Sequence, residues 1–579
     1  MQTDLFIKKR NQVILTAVLL LGTGSVLIWR SFYGMDLTDE TFYLAAARRF
    51  YDGAMVFKDD WNRGQLFGLL MLPFYSIYMF IQGNNEGIIL CSRILFVILE
   101  LFVAAFLWEI LIRNTGSFGA ALSTSLCVLV YARGNIITMS YYNLGFLTFL
   151  LAVLWWSKAE RGQEKKLFYL LSGFNFAVSV VCMPYMVLLF FVLLGVGIFW
   201  RLKNDAVRCR RVFWWFTGIL FAAVVFLLYF GRLIPWKELQ EYVPIIFQDP
   251  GLEKDGILEQ FLNLFRYIGT VFLKYTWPVY AVTFVLSVLD GKRVLKNEVI
   301  HKLLPWLLAA EFFVQSIYVR TYFEGGVVLV LFLLALQMQF LYPEHRLKWM
   351  EHHFLIPGLL FAVPWVLGSN VGERVINMSI LLMDIWGICF LWTVFQRHQR
   401  KNCYLAIKIS VFWMFMVLFL IRIFDVYRDG SIERLNYSVS CGCMKGIYTE
   451  ENRGNAYEQM VNLLLEETDD KDRIVTPGTN PWVYLDAPAS CGAYTVWNFD
   501  NGESVLRQYY EKFPEYIPDK ILLVPEEVSV YESWRFSSHG SGWNREEQAA
   551  VGGILGEIIE SGNYVCLEKS GAKLYSNRL

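Results

Sequence analysis

Between residues 35 and 73 the chain reads MDLTDETFYLAAARRFYDGAMVFKDDWNRGQLFGLLMLP. Asp36, Asp39, Glu40, Asp59 and Asp60 stand there beside Arg48, Arg49, Lys58 and Arg63, directly after a hydrophobic run. So much charge is costly inside hydrocarbon, so the segment belongs at the water interface. Asp39, with Glu40 beside it, could take a proton from a hydroxyl group. The competing role is local: Asp36 or Thr38 caps a helix running through Tyr43, and acids in its first turn favour the helix dipole. The string Lys58-Asp59-Asp60-Trp61-Asn62-Arg63 also carries two readings. Lys and Arg could snorkel while Trp61 sits among lipid headgroups. Alternatively, Arg63 could clamp a phosphate through its planar fork. An acid beside a cation suits displacement at a sugar carbon bearing a phosphate. One activates the incoming oxygen, and the other neutralises charge on the departing one.

The elements that must hold these residues are membrane helices. Of 579 residues, 56% are hydrophobic and 18% charged, with a mean hydropathy of +0.40. Soluble domains carry roughly 25% charged residues. Apolar runs long enough to cross a bilayer are expected at 13–29, 88–112, 118–132, 136–156, 167–182, 184–200 and 213–230. Others are expected at 267–289, 303–318, 327–341, 354–367, 376–395 and 405–423. That is about thirteen crossings by the length rule. A single helix over 167–200 would measure about 51 Å at 1.5 Å per residue, so a break is expected near Met183-Pro184. Within the acidic loop, 42–51 and 66–80 read as helices, the second lying in the interface or dipping into the membrane. Lys8, Lys9 and Arg10 precede the first run, which lacks a small-residue cleavage site and is expected to remain as a span. Positive-inside logic puts that end in the cytoplasm and the acidic loop outside. The basic loops at Lys158–Lys166, Arg201–Arg211, Lys292–Lys296, Arg346–Lys348 and Arg397–Lys401 then share the cytoplasmic side.

From about Asp425 the composition turns polar, and helix and strand signals alternate to the end. Residues 1–424 are therefore expected to form a mainly α transmembrane unit with a first outer loop at about 31–87. Residues 425–579 are expected to form a small extracytoplasmic α/β domain. The ten cysteines lack metal-site spacing. Cys441, Cys443, Cys491 and Cys566 lie in the tail, where one disulfide is allowed. None of the six histidines falls near Asp39, so a His-ligated ion at the site is not expected. Mg²⁺ or Mn²⁺ on Asp39, Asp59 or Asp60 stays open. Arg93, Arg133, Arg266, Arg320 and Arg374 lie near outer span ends. Each can snorkel or serve the site, and Arg320 can pair with Glu324 four residues on. The balance of 52 basic and 52 acidic residues gives no sign of a nucleic-acid partner. A phosphate-binding loop, a dinucleotide-binding glycine run and a serine-hydrolase order are all absent from the sequence.

The string Asp39-Glu40-Thr41-Phe42-Tyr43 resembles the DE-x-x-Y motif in the first outer loop of C-type (GT-C) glycosyltransferases. The likeness is to the branch holding lipid A aminoarabinose transferases and protein O-mannosyltransferases. Asp52-Gly53, Phe57-Lys58-Asp59 and Ser140-Tyr141-Tyr142-Asn143 are similar to that branch too. So are Asn480-Pro481-Trp482 and Tyr509-Tyr510 in the tail. The resemblance implies an inverting transfer from a polyprenyl-phosphate sugar to a hydroxyl acceptor on a glycan, lipid or protein of the cell envelope. Asp39 would be the base, with Glu40 or Asp60 in support. Tyr43 would contact the lipid phosphate, and Arg63 would take the place of a phosphate-binding lysine; Lys58 and Arg320 are further candidate cations for that phosphate by their position in the outer segments. Asn62-Arg63-Gly64-Gln65 departs from the acid, lysine and proline pair of the aminoarabinose transferases. Two other classes remain open: a transporter of lipid-linked sugar, for which Glu100, Glu311 and Asp384 within or near spans speak, and a non-catalytic envelope scaffold.

Overall fold

A computed structural model describes the chain except for residues 1, 63, 162–164, 247–256, 270–280, 282–284, 286–305, 308–309, 311–312, 314–324, 342–345, 369–375, 398–400, 498–502, 529–544 and 578–579. Apolar runs become helices because only a helix satisfies its own backbone in lipid. In order these are α1 (Gln2–Arg30), α2 (Asp39–Tyr51), α3 (Gln65–Gln82), α4 (Ile88–Thr115), α5 (Phe118–Val130), α6 (Tyr141–Arg161), α7 (Lys166–Cys182), α8 (Val187–Leu202) and α9 (Ala206–Phe230). There follow α10 (Leu239–Ile246), α11 (Ile257–Ile268), α12 (Gly325–Leu341), α13 (Ile356–Gly368), α14 (Ile376–Arg397) and α15 (Lys401–Phe424). Among the described residues eight helices are long and apolar enough to cross a membrane. The expected spans at 267–289 and 303–318 fall largely outside those residues.

Three local outcomes differ from or sharpen the sequence reading. The helix over 167–200 does break: α7 ends at Cys182, and a 3₁₀ turn, Pro184–Met186, leads into α8. Proline lacks the N–H that a continuous helix would need there. The helix α3 has the length and hydropathy of a span, which the interface placement did not require. The expected spans 118–132 and 136–156 are instead α5, a turn at Arg133–Asn135, an extended stretch and α6. Asn143 Nδ2 donates to the carbonyls of Ile136 at 2.7 Å and Thr138 at 3.0 Å, and the hydroxyls of Ser92 and Thr138 meet at 2.6 Å. Irregular backbone survives in a bundle only with such internal partners.

Beyond α15 the chain forms a mixed α/β layer. A short antiparallel pair, β1 (Tyr437–Ser438) and β2 (Tyr448–Thr449), precedes α16 (Glu451–Glu467). Next come β3 (Arg473–Val475), α17 (Pro481–Asp486), β4 (Ser490–Cys491), α18 (Glu503–Lys512) and β5 (Lys520–Leu523). The chain ends on α19 (Arg545–Ser561), β6 (Tyr564–Lys569) and β7 (Ala572–Asn577). The five-stranded sheet runs β4-β3-β5-β7-β6, parallel through β5 and antiparallel beyond it. The four tail cysteines are free.

This layer is fastened to the loop between α1 and α3. Arg48 Nη1 donates to the carbonyls of Tyr484, Leu485 and Ala487 at 2.6–3.0 Å. It thereby satisfies the open C-terminal end of α17, where a cation is favoured. Arg49, buried next to it, donates to the carbonyls of Asp59 and of Ala493, the latter at 2.7 Å. Trp61 N donates to Tyr494 O at 2.9 Å, and Gly34 N to Tyr448 O at 2.9 Å.

Candidate active site

Asp36 does the capping at the start of α2. Its Oδ1 accepts from Thr38 N at 3.0 Å, and its Oδ2 accepts from Glu40 N at 3.1 Å. Asp39, the first residue of the helix, is therefore not spent on its own turn. Its side chain is 16% exposed and turns to the segment just after α15. Tyr427 Oη donates to Asp39 Oδ2 at 2.7 Å, and Arg428 Nη1 lies 3.1 Å from the same oxygen. Among the described residues nothing bonds to Oδ1. The result is a carboxylate anchored by one oxygen and open at the other.

Tyr43, one turn along the same helix face, is buried against Phe67 and Tyr141, both edge to face, at 5.3 and 5.6 Å between ring centres. Its hydroxyl has no hydrogen-bond partner among the described residues. The irregular stretch before α6 brings Arg133 over the Tyr142 ring at 3.7 Å, and Tyr142 stacks on Trp365 of α13. The turn that carries Arg133, the extended stretch 136–140 where helix was expected, and the first turn of α6 thus place aromatic rings and a cation at the end of the bundle where Asp39 lies.

The electrostatics follow from burial. Asp36 is pushed up to about 6, first by burial and then by the neighbouring Asp39 charge. Burial also raises the Tyr43 and Tyr427 hydroxyls, with Asp39 adding to each. Burial opposes the charge on Arg428, but Asp39, Tyr427 and Asp36 outweigh it and hold the guanidinium ionised.

The other residues singled out in the sequence lie apart from this group. Glu40 is fully buried and bound through both oxygens to Arg93, which also donates to the Ser31 carbonyl at 2.8 Å. Arg93 therefore does not snorkel; the pair ties α2 to α4. Asp60 Oδ1 accepts from Asn62 N at 2.8 Å, and Oδ2 is 3.9 Å from Arg49. Burial raises Asp60 to about 6 against the pull of Arg49. Lys58 pairs with Glu238 at 3.4 Å. Arg63 and Arg320 lie outside the described residues. Asp59 Oδ2 is occupied by Met55 N at 2.6 Å. Among the described residues no three His, Cys, Asp or Glu side chains converge on one point. Sequence reasoning missed Tyr427 and Arg428. Their one signal was a charged string, Asp425-Val426-Tyr427-Arg428-Asp429, ending the last span.

No protein-family model and no curated protein matches the chain. Among solved structures, the oligosaccharyltransferase of Archaeoglobus fulgidus, in complex with zinc and sulfate, is similar over 98% of this chain and 73% of that one, with a TM-score of 0.48 and 11% identity. ArnT from Cupriavidus metallidurans bound to undecaprenyl phosphate is similar over 98% of both chains, with a TM-score of 0.43 and 13% identity. The same protein in its apo state gives 0.40 and 12%, again over 98% of both chains.

Proposed function

We propose that this chain is an integral-membrane glycosyltransferase of the C type, moving a sugar from a polyprenyl-phosphate carrier to a hydroxyl of an envelope glycan, lipid or protein. The observation that carries the reading is Asp39, held by Oδ2 and open at Oδ1, at the start of α2. In the reaction Oδ1 takes the acceptor hydroxyl proton. The acceptor oxygen forms a bond to the anomeric carbon as the carbon–oxygen bond to phosphate breaks, inverting that carbon. The electron pair leaves on the lipid phosphate. Tyr43 supplies a buried hydroxyl without a partner to the donor side, and Lys58, Arg63 and Arg320 supply cations to the departing phosphate. Glu40 and Asp60 support Asp39 indirectly, by fixing α2 and the loop after it. Residues 1–424 are the catalytic membrane unit, and residues 425–579 cover the site from outside the cell. Lys8, Lys9 and Arg10 keep the N-terminus in the cytoplasm, and a topology reporter fused after Leu579 checks the opposite end.

The test is sugar transfer in proteoliposomes supplied with a panel of radiolabelled polyprenyl-phosphate sugars. Removing a general base costs about 10²–10⁴-fold, so Asp39→Asn should lose transfer to that extent and Arg63→Ala should weaken it. Equal product from wild type and Asp39→Asn would remove the aspartate from the chemistry.

One observation favours a second reading. Among the described residues both oxygens of Asp384, fully buried within α14, lack partners, and an acid inside a span marks a transport path by default. Carrier-mediated flipping of a lipid-linked sugar, lost in Asp384→Asn and kept in Asp39→Asn, would favour it.

A further inference from the structure

The segment that reaches Asp39 is pinned from both sides. Asp429, buried next to Arg428, accepts from Met35 N at 2.6 Å and Thr449 Oγ1 at 2.8 Å through one oxygen. Its other oxygen lies 3.1 Å from Arg453 of α16. Arg453 also donates to the Arg428 carbonyl at 2.6 Å. Val426 packs on Gly34, at φ +90°, where a β-carbon would run into the valine side chain. Arg428 itself has φ +56°, a left-handed conformation uncommon outside glycine. Backbone held in such a state is kept by its surroundings and marks a site where placement matters. Here it aims the guanidinium at Asp39 Oδ2 and at the Thr38 hydroxyl.

We infer that Arg428 is the positioning residue of Asp39, and that Asp429 and Arg453 tether it to the tail domain. The inference rests on the reading of Asp39 as base. Arg428 fixes the carboxylate plane so that Oδ1 faces the acceptor, and it does not itself bind the donor. Its Nη1 faces both Oδ2 and the Thr38 hydroxyl, and the planar guanidinium gives that contact a fixed direction, whereas a lysine ammonium is a point charge on a flexible stem. The tether makes the setting of the base depend on where the tail domain sits.

The test uses the full-length chain reconstituted with metabolically labelled lipid and envelope extract from source cells lacking their own copy. Transfer is measured beside the affinity of the purified protein for undecaprenyl phosphate. Misplacing a reacting group can cost about 10²-fold, so Arg428→Met should lower transfer by about that much. Undecaprenyl phosphate affinity should stay within about twofold, because a group acting on the rate alone leaves ground-state binding intact. Arg428→Lys should fall between the two. If Arg428→Met does not fold, Arg428→Lys decides: reduced transfer at unchanged affinity supports the inference, and wild-type transfer overturns it. Wild-type transfer by Arg428→Met, or a tenfold loss of undecaprenyl phosphate affinity, also overturns it while leaving the base in place. If Asp39→Asn transfers like wild type, or the wild-type chain transfers nothing, the reading of the site falls and takes the inference with it.

Discussion

At Asp39 the two anchoring bonds end on one oxygen, so their loss can be graded. Tyr427→Phe deletes a hydrogen bond to a charged acceptor while Arg428 remains 3.1 Å away. Such bonds are worth about 1.5–3 kcal/mol, which corresponds to about 13- to 160-fold in rate if fully expressed in the transition state. Turnover of Tyr427→Phe in the proteoliposome assay should therefore fall within that range. Wild-type turnover would show that Arg428 alone sets the carboxylate. The charges of the first loop were legible because they stand out from apolar surroundings. What each one touches was not. The separation of 388 residues between Asp39 and Tyr427 carries no periodic signal, and Glu40 beside Asp39 gives no hint in sequence that it faces Arg93 while its neighbour faces the tail.

At the scale of elements, helix existence was legible and helix crossings were not. Apolar length alone marks a span, and proline marked the break between α7 and α8. The interruption before α6 was hidden because its residues, Ile136 to Ser140, are as apolar as a helix; of its partners, Ser92 comes from α4 and Asn143 from the first turn of α6 itself. The α7–α9 crossing has the same character. A β-carbon added at Gly173 would run into the Trp215 carbonyl, and one at Gly218 into the Leu170 carbonyl. Two glycines facing opposite backbones let helices approach closely, as small residues do in membranes. Overpacking such a contact costs about 1–3 kcal/mol. Gly173→Ala should therefore lower the thermal midpoint in detergent, as should Gly218→Ala. An unchanged midpoint for both would mean that the two helices part to admit a methyl group without loss of packing.

At the scale of the whole molecule, the tail domain is built onto the first loop. Alternating helix and strand signals announced its sheet, but not that Arg48 and Arg49 would serve as its fasteners. The junction of the first loop with the tail buries carboxyl groups, and burial gives it a pH dependence. Asp36, Asp60 and Asp486 are each raised to about 6 from an ordinary 3.8, in every case chiefly by burial. The sign is opposite to that of a salt-bridged acid. The folded state keeps a proton that the unfolded chain releases between about pH 4 and pH 6, so the stability contributed is whole below that window and lost above it. The slope is at most about 1.4 kcal/mol per pH unit for each group. Thermal stability in detergent should thus decline as pH rises from 4 to 6. Asp60→Asn keeps an oxygen for the Asn62 N–H and removes one titration, so its decline should be shallower and its midpoint at pH 7 higher than wild type. A curve parallel to wild type would instead mean that Arg49, at 3.9 Å, fully compensates an ionised Asp60. The loop and tail would then be joined by a buried ion pair, and breaking it with Asp60→Asn should lower the midpoint at pH 7.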